Sequence, residues 1–291
     1  MRHEVKKMNV NHTVDTVRSI VKEARRANKT VGLVPTMGFL HEGHLSLMKR
    51  AKKENDIVIV SIFVNPTQFG PSEDLASYPR DLERDMALCQ SVGVDVIFNP
   101  SVEEMYPEGY STYVNCEGNV TETLCGASRA GHFKGVTSVV SKLFNIVSPD
   151  RAYFGQKDAQ QVAVIEKMVR DLNIDVQIIP CEIVREPDGL ALSSRNTYLT
   201  EEERQEALVL SQALTLAKEA IRSGERSASV IIEKMRQHVL TAPTAEIDYI
   251  QAVSAKTLED LELLKGDVLI AMAVKIGKPR LIDNIRILVE K

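Results

Sequence analysis

An uninterrupted apolar run, Ile57-Val-Ile-Val-Ser-Ile-Phe-Val64, limits more than any other feature what this chain can fold into. A run so rich in β-branched residues, bounded by Asp56 and Asn65, suits a strand, and its lack of polar alternation means that both faces are buried. Such a strand belongs in a parallel sheet with helices on each side. The flanking sequence agrees. Val14, Val17, Val21 and Ala24 share one helical face, Thr30 to Pro35 is strand-like, and a helix begins near His41 with Leu45, Met48 and Lys52 in spaced rows. Asp81 to Val92, Phe133 to Val147 and Ala159 to Leu172 read as helices, whereas Asp95 to Phe98, Ala152 to Phe154 and Val176 to Ile179 read as strands. The spacing predicts β-α-β units with at least five strands.

The organisation changes beyond Arg185. A Gly-bearing loop, Glu186 to Gly189, leads to Ser193-Ser-Arg195, and Thr200 with Glu203 supplies a capping box for a long helix over 201–222. A helix over 227–240 follows, then strand-like Ile247 to Val253, Val268 to Val274 and Leu281 to Ile287, the last two joined through a turn at Ile276 to Arg280. The expected organisation is an α/β domain over 1–184 and a smaller α+β domain over 185–291, a size that 291 residues readily allow.

Several function classes drop out. The formal net charge of −4 comes without any basic stretch interleaved with aromatics, so no nucleic-acid partner is expected. No run approaches the ~20 apolar residues of a membrane span, and the first residues lack an apolar leader core, so the expected location is the cytoplasm. Cys89, Cys116, Cys125 and Cys181 are scattered and form no C-x-x-C pair, which speaks for reduced thiols rather than zinc or disulfides.

Neither G-x-G-x-x-G after the first strand nor G-x-x-x-x-G-K-[ST] occurs. The candidate phosphate site is instead Pro35 to His44, PTMGFLHEGH, where a strand ends, Met37 and Gly38 begin a turn and a helix starts. Helix N-termini offer unpaired N–H groups and partial positive charge to phosphate. His41 and His44, three apart, put two imidazoles on one side, suited to charge that grows on a phosphate. Zinc would need a third ligand of known spacing, and only distant His132 offers itself; two ordinary surface histidines are the other alternative.

A second constellation, Gly155, Gln156, Lys157 and Asp158, again joins a strand end to a helix, with Lys157 as a point charge for phosphate and Asp158 as an acceptor for sugar hydroxyls; a polar capping turn would look the same. The third, Leu192, Ser193, Ser194 and Arg195, offers hydroxyl and guanidinium donors to phosphates from a loop placed to close over them, or is simply a solvated linker. Gln68, at the end of the apolar strand, and Gln161 offer amides to uncharged groups of a small substrate, or satisfy buried backbone.

Together these segments resemble the pantoate–β-alanine ligase (pantothenate synthetase) family from about residue 8 to residue 288. The runs PTMGFLHEGHLSL from Pro35, FVNPTQF from Phe63, GHFKGV from Gly131, YFGQKDAQQ from Tyr153 and LSSRN from Leu192 occur in that family's order and spacing. The resemblance implies a Rossmann-like sheet of the H-x-G-H nucleotidyltransferase superfamily, a homodimer, and a reaction in which ATP and Mg²⁺ activate the carboxylate of (R)-pantoate as an adenylate before the amine of β-alanine attacks. It implies an ATP site of Met37, Gly38, His41, His44, Gly155 to Asp158, Val184 and Leu192 to Arg195. Within it His44, His41, Lys157 and Arg195 serve the chemistry, with Ser194 also on phosphate. Gln68 would touch pantoate and β-alanine, and Gln161 pantoate. The family commonly has Met where this chain has Leu192, a nearly volume-conserving change.

Two rivals differ in class. Another H-x-G-H nucleotidyltransferase would act on a phosphorylated small molecule and call for a further basic group where Gln68 and Gln161 stand. A non-catalytic ATP sensor would not need the full set of His41, His44, Lys157 and Arg195.

Overall fold

The computed structural model describes residues 8–71 and 73–290. The expectation of no leader rests largely on residues 1–7, which lie outside the described residues. The chain divides into two units. The first holds 1–116, 131–156 and 165–182; the second holds 117–130, 157–164 and 183–291.

In chain order the first part runs β1 (Asn9–Asn11), α1 (Val14–Arg26), β2 (Val31–Thr36), α2 (Glu42–Glu54), β3 (Ile57–Ile62), α3 (Leu82–Ser91), β4 (Val96–Phe98) and α4 (Val102–Met105). Next come α5 (Asn119–Glu122), α6 (Cys125–Ser128), α7 (His132–Val147), β5 (Arg151–Gly155), α8 (Ala159–Asp171) and β6 (Gln177–Cys181). The chain ends with α9 (Glu201–Glu206), α10 (Leu208–Arg222), α11 (Ala228–Val239), β7 (Ala245–Ser254), β8 (Gly266–Ile276) and β9 (Arg280–Val289).

The first unit is built on a six-stranded sheet of order β1-β4-β3-β2-β5-β6, parallel throughout. All six residues of β3 are buried, as its unbroken apolar run requires. Helix α1 shows how the flanking layers form: Thr13 caps its first turn, Arg25 and Arg26 complement its last, and Val17, Val21 and Ala24 turn inward. From β2 the chain steps to β3 and β4 on one side, then returns to place β5 and β6 on the other. The strand order therefore reverses between β2 and β5. In open parallel sheets the crevice outside the strand ends at such a switch point is where ligands bind.

Strand β1 escaped the sequence. Its three residues, Asn-Val-Asn, carry no apolar run, and it owes its conformation to pairing with β4 at the sheet edge.

In the second unit β7, β8 and β9 form an antiparallel sheet, and the turn expected between the last two strands is closed by the Ile276 N–H donating to Pro279 O at 3.0 Å. Helices α10 and α11 pack on this sheet through Leu210, Leu214, Ile231 and Met235, with Ile270, Met272 and Val274 beneath. The single helix expected over 201–222 is two, α9 and α10, divided at Ala207. Ala207 is fully buried and its ψ of −19° tightens the turn, which breaks the regular helical path. Among the described residues no helix is long and apolar enough to cross a membrane.

Candidate active site

Strand β2 delivers the first site segment. Thr36 hydrogen-bonds through its hydroxyl to Ser61 O at 2.8 Å and accepts from the Gly38 N–H at 3.2 Å, which starts the turn out of the strand. Gly38 and Phe39 then take left-handed conformations, with φ of 82° and 48°. Phe39 has a Cβ and so bears a cost of about 1–3 kcal/mol. The Phe39 and Leu40 N–H groups donate to the two carboxylate oxygens of Asp85 at 2.8 and 2.7 Å. These two hydrogen bonds hold the turn in its strained conformation.

His41 follows as the N-cap of α2, in extended conformation, with its Nδ1 accepting from the Gly43 N–H at 3.2 Å. His44 reaches back, its Nδ1 accepting from the His41 N–H at 3.3 Å. The ring centroids lie 4.1 Å apart. Both Nδ1 atoms act as acceptors, so each neutral ring carries its proton on Nε2 and presents an N–H donor from there. The spacing thus yields two neighbouring imidazoles at one helix start, their planes tilted by 42°, beside the switch point.

Gln68 ends the loop after β3. Its Nε2 donates to Met37 Sδ at 3.2 Å and its Oε1 accepts from Asn65 Nδ2 at 3.1 Å. The site segments Met37 and Gln68 are therefore in contact. His132, expected to be at most a distant zinc candidate, instead donates from Nδ1 to Gln68 O at 2.8 Å. Helix α7 comes so close that a Cβ on Gly135 would stand 2.3 Å from Thr67 O and 2.7 Å from Gln68 Cα. Only glycine fits there, which gives a physical reason for the GHFKGV run.

Gly155 and Gln156 complete β5 and its turn in the first unit, whereas Lys157 and Asp158 fall in the second. Within the second unit the Lys157 carbonyl accepts from Asn284 Nδ2 at 2.9 Å, and Lys157 and Ser193 line one small cavity with Asn196 and Asp283. Lys157 of the second constellation and Ser193 of the third are thereby brought together within the second unit. The loop bearing Ser193 to Arg195 is tied down by the ion pair of Arg185 with buried Asp283 at 2.6 Å, and by Leu192 N–H donating to Val184 O at 3.0 Å. Ser193 caps the short helical turn from Ser194 to Tyr198, accepting from the Arg195 N–H. This is an anchored loop rather than a solvated linker.

Two glutamines stand side by side on α8. Gln160 is buried and satisfies backbone, accepting from Cys125 N–H at 2.9 Å and donating to Val120 O and Thr123 O. Gln161 beside it is half-buried.

Asp85 and Tyr106 are not among the residues the sequence marks out for the site, and His132 enters there only as a distant zinc candidate. Asp85 left one signal: it stands four residues before Cys89, on the face of α3 where the helical period calls for an apolar residue. Tyr106, in an irregular stretch, left none.

The fold and the site define an α/β protein with an open parallel sheet and the two histidines of an H-x-G-H run at a helix start beside the switch point. The chain belongs to the pantoate-beta-alanine ligase family, whose model matches residues 9–286. It is 58% identical over 278 residues to a pantothenate synthetase of Acetivibrio thermocellus, covering 96% of this chain and 99% of the relative. The crystal structure of pantothenate synthetase from Thermus thermophilus matches with a TM-score of 0.92 and 46% identity, over 98% of this chain and all of that one. The ligase of Francisella tularensis, solved with β,γ-ATP and β-alanine, matches with a TM-score of 0.79 and 37% identity, over 96% of this chain and 97% of that one. The protein is thus a ligase of pantothenate biosynthesis, and the phosphorylated-substrate and sensor alternatives fall away.

Proposed function

We propose that the enzyme condenses (R)-pantoate with β-alanine in an ATP-dependent reaction, through pantoyl adenylate, releasing AMP and pyrophosphate. The observation that carries this is the pair of Nε2–H donors that His41 and His44 present at the helix start beside the switch point. The ATP and β-alanine bound to the Francisella relative support the same ligand set here.

A carboxylate is a poor acyl donor until one oxygen leaves as part of a better group. A pantoate carboxylate oxygen attacks the α-phosphorus of ATP as the bond to pyrophosphate breaks. The β-alanine amine then attacks the acyl carbon, AMP departs, and the amine proton is lost. Such in-line displacement calls for positioning and charge stabilisation, and no covalent enzyme intermediate is required. In this scheme His44 and His41 donate to phosphate as charge develops, and Lys157, Ser194 and Arg195 hold the phosphates. Met37, Gly38, Gly155, Gln156, Asp158, Val184, Leu192 and Ser193 complete the ATP contacts, Gln68 serves pantoate and β-alanine, and Gln161 serves pantoate. Mg²⁺ would accompany the ATP substrate and neutralise charge on its phosphates. A functional division near residue 184, a homodimeric state and a cytoplasmic location belong to the same proposal.

The test is the nucleotide product. Incubation with pantoate, β-alanine and ATP is expected to give AMP and pyrophosphate in step with pantothenate; ADP and phosphate instead would overturn the adenylate route.

A further inference from the structure

The first unit buries a carboxylate that no step above uses. Asp85, on the inward face of α3, is 1% exposed, and its two oxygens are taken up by consecutive backbone N–H groups, Phe39 and Leu40. Those amides lie in and just after the left-handed pair Gly38 and Phe39, the second of them one residue before His41. The fit is close on every side. A Cβ at Gly38 would stand 2.9 Å from Asp85 Oδ2 and 3.0 Å from Ile62 Cγ2, Leu40 is fully buried, and the Arg84 guanidinium covers the Phe39 ring at 4.9 Å. Burial raises the Asp85 carboxyl above its ordinary pKa even though both amide bonds pull it down, so the fold keeps an electrostatically unfavourable group at this spot. A role in packing alone would be met as well by an apolar side chain.

We propose that Asp85 is a positioning residue: by clamping the Phe39 and Leu40 amides it fixes the turn from which His41 caps α2, and so sets the aim of the His41 and His44 imidazoles. This rests on the adenylyl-transfer role given to those histidines. The clamp acts through one rigid path, since His44 Nδ1 is itself held by the His41 N–H. An isosteric amide at this position has one acceptor oxygen, so one of the two backbone donors loses its partner and faces an NH₂ group.

The test is a double-mutant cycle in the full-length enzyme, with Asp85→Asn, His44→Ala and both together, each variant also followed by thermal unfolding. Misaiming a transition-state contact costs turnover and spares ground-state binding, so Asp85→Asn is expected to lower kcat about tenfold with the KM for pantoate within about twofold. The double variant is expected to be no more than about threefold slower than His44→Ala, because two losses along one path do not multiply. Multiplying losses, or a wild-type kcat in Asp85→Asn, would overturn the proposal. If Asp85→Asn does not fold, Gly38→Ala, whose methyl group meets the same carboxylate, replaces it in the cycle with the same two criteria. Failure of the adenylyl-transfer role is a separate outcome: His44→Ala alone would then turn over normally.

Discussion

Tyr106 donates its hydroxyl hydrogen to Asn65 Oδ1 at 2.7 Å, and this bond sets which way the Asn65 amide faces. With Oδ1 so occupied, Asn65 Nδ2 points to Gly135 O at 3.2 Å and to Gln68 Oε1 at 3.1 Å, leaving Gln68 to offer its Nε2 side toward Met37. Burial pushes the Tyr106 hydroxyl up to about 12, so it stays a donor across the physiological range. Tyr106→Phe removes this donor while the Thr67 hydroxyl still reaches the same oxygen. One net hydrogen bond is worth about 0.5–1.5 kcal/mol, so the expected result is a roughly 2–10-fold rise in KM for pantoate and β-alanine, with kcat within about threefold. Steady-state kinetics in each substrate checks it, and unchanged KM values would count against the relay.

His44→Ala is expected to lower kcat by ~10²-fold or more while ATP affinity stays within a few fold, the pattern of a group that acts mainly in the transition state. Turnover and nucleotide binding, measured separately on the same preparation, decide this. A variant that binds ATP normally and turns over normally would remove His44 from the chemistry.

Stability should fall at acid pH partly through Asp150. Burial alone would raise its pKa, but the Val31 N–H at 2.6 Å and the Arg25 guanidinium at 2.7 Å outweigh it and hold the carboxyl below the ordinary Asp value. A depressed folded-state pKa means that the unfolded chain binds the proton more readily, so the contribution is present above the unfolded value and is lost as pH falls through the folded one. Wild-type Tm should therefore drop as pH is lowered below about 4, the unfolded Asp range. Asp150→Asn should be less stable at neutral pH and show a flatter acid limb; parallel limbs for the two proteins would refute the linkage.

The legibility of the sequence followed physical scale. The apolar run of β3, the periodic face of α1 and the H-x-G-H helix start speak locally, and each stands where its own residues imply. Strand β1 is polar and short, so only its partner β4 defines it. The groups that hold the site were harder for the same reason: Asp85 lies 46 residues from the Phe39 amide it clamps, and Tyr106 lies 41 from Asn65. A contact between distant, singly occurring polar residues leaves no period and no motif. The histidine spacing was legible as a pair, but the proton placement on Nε2 emerged only from the backbone N–H groups at each Nδ1.

The most direct measurement of the central claim is exchange of radiolabelled pyrophosphate into ATP, with pantoate present and β-alanine omitted. Adenylate formation at the His41–His44 helix start predicts exchange that requires pantoate and is lost in step with kcat in His44→Ala. Exchange that ignores pantoate, or no exchange in an enzyme that still makes pantothenate, would contradict it.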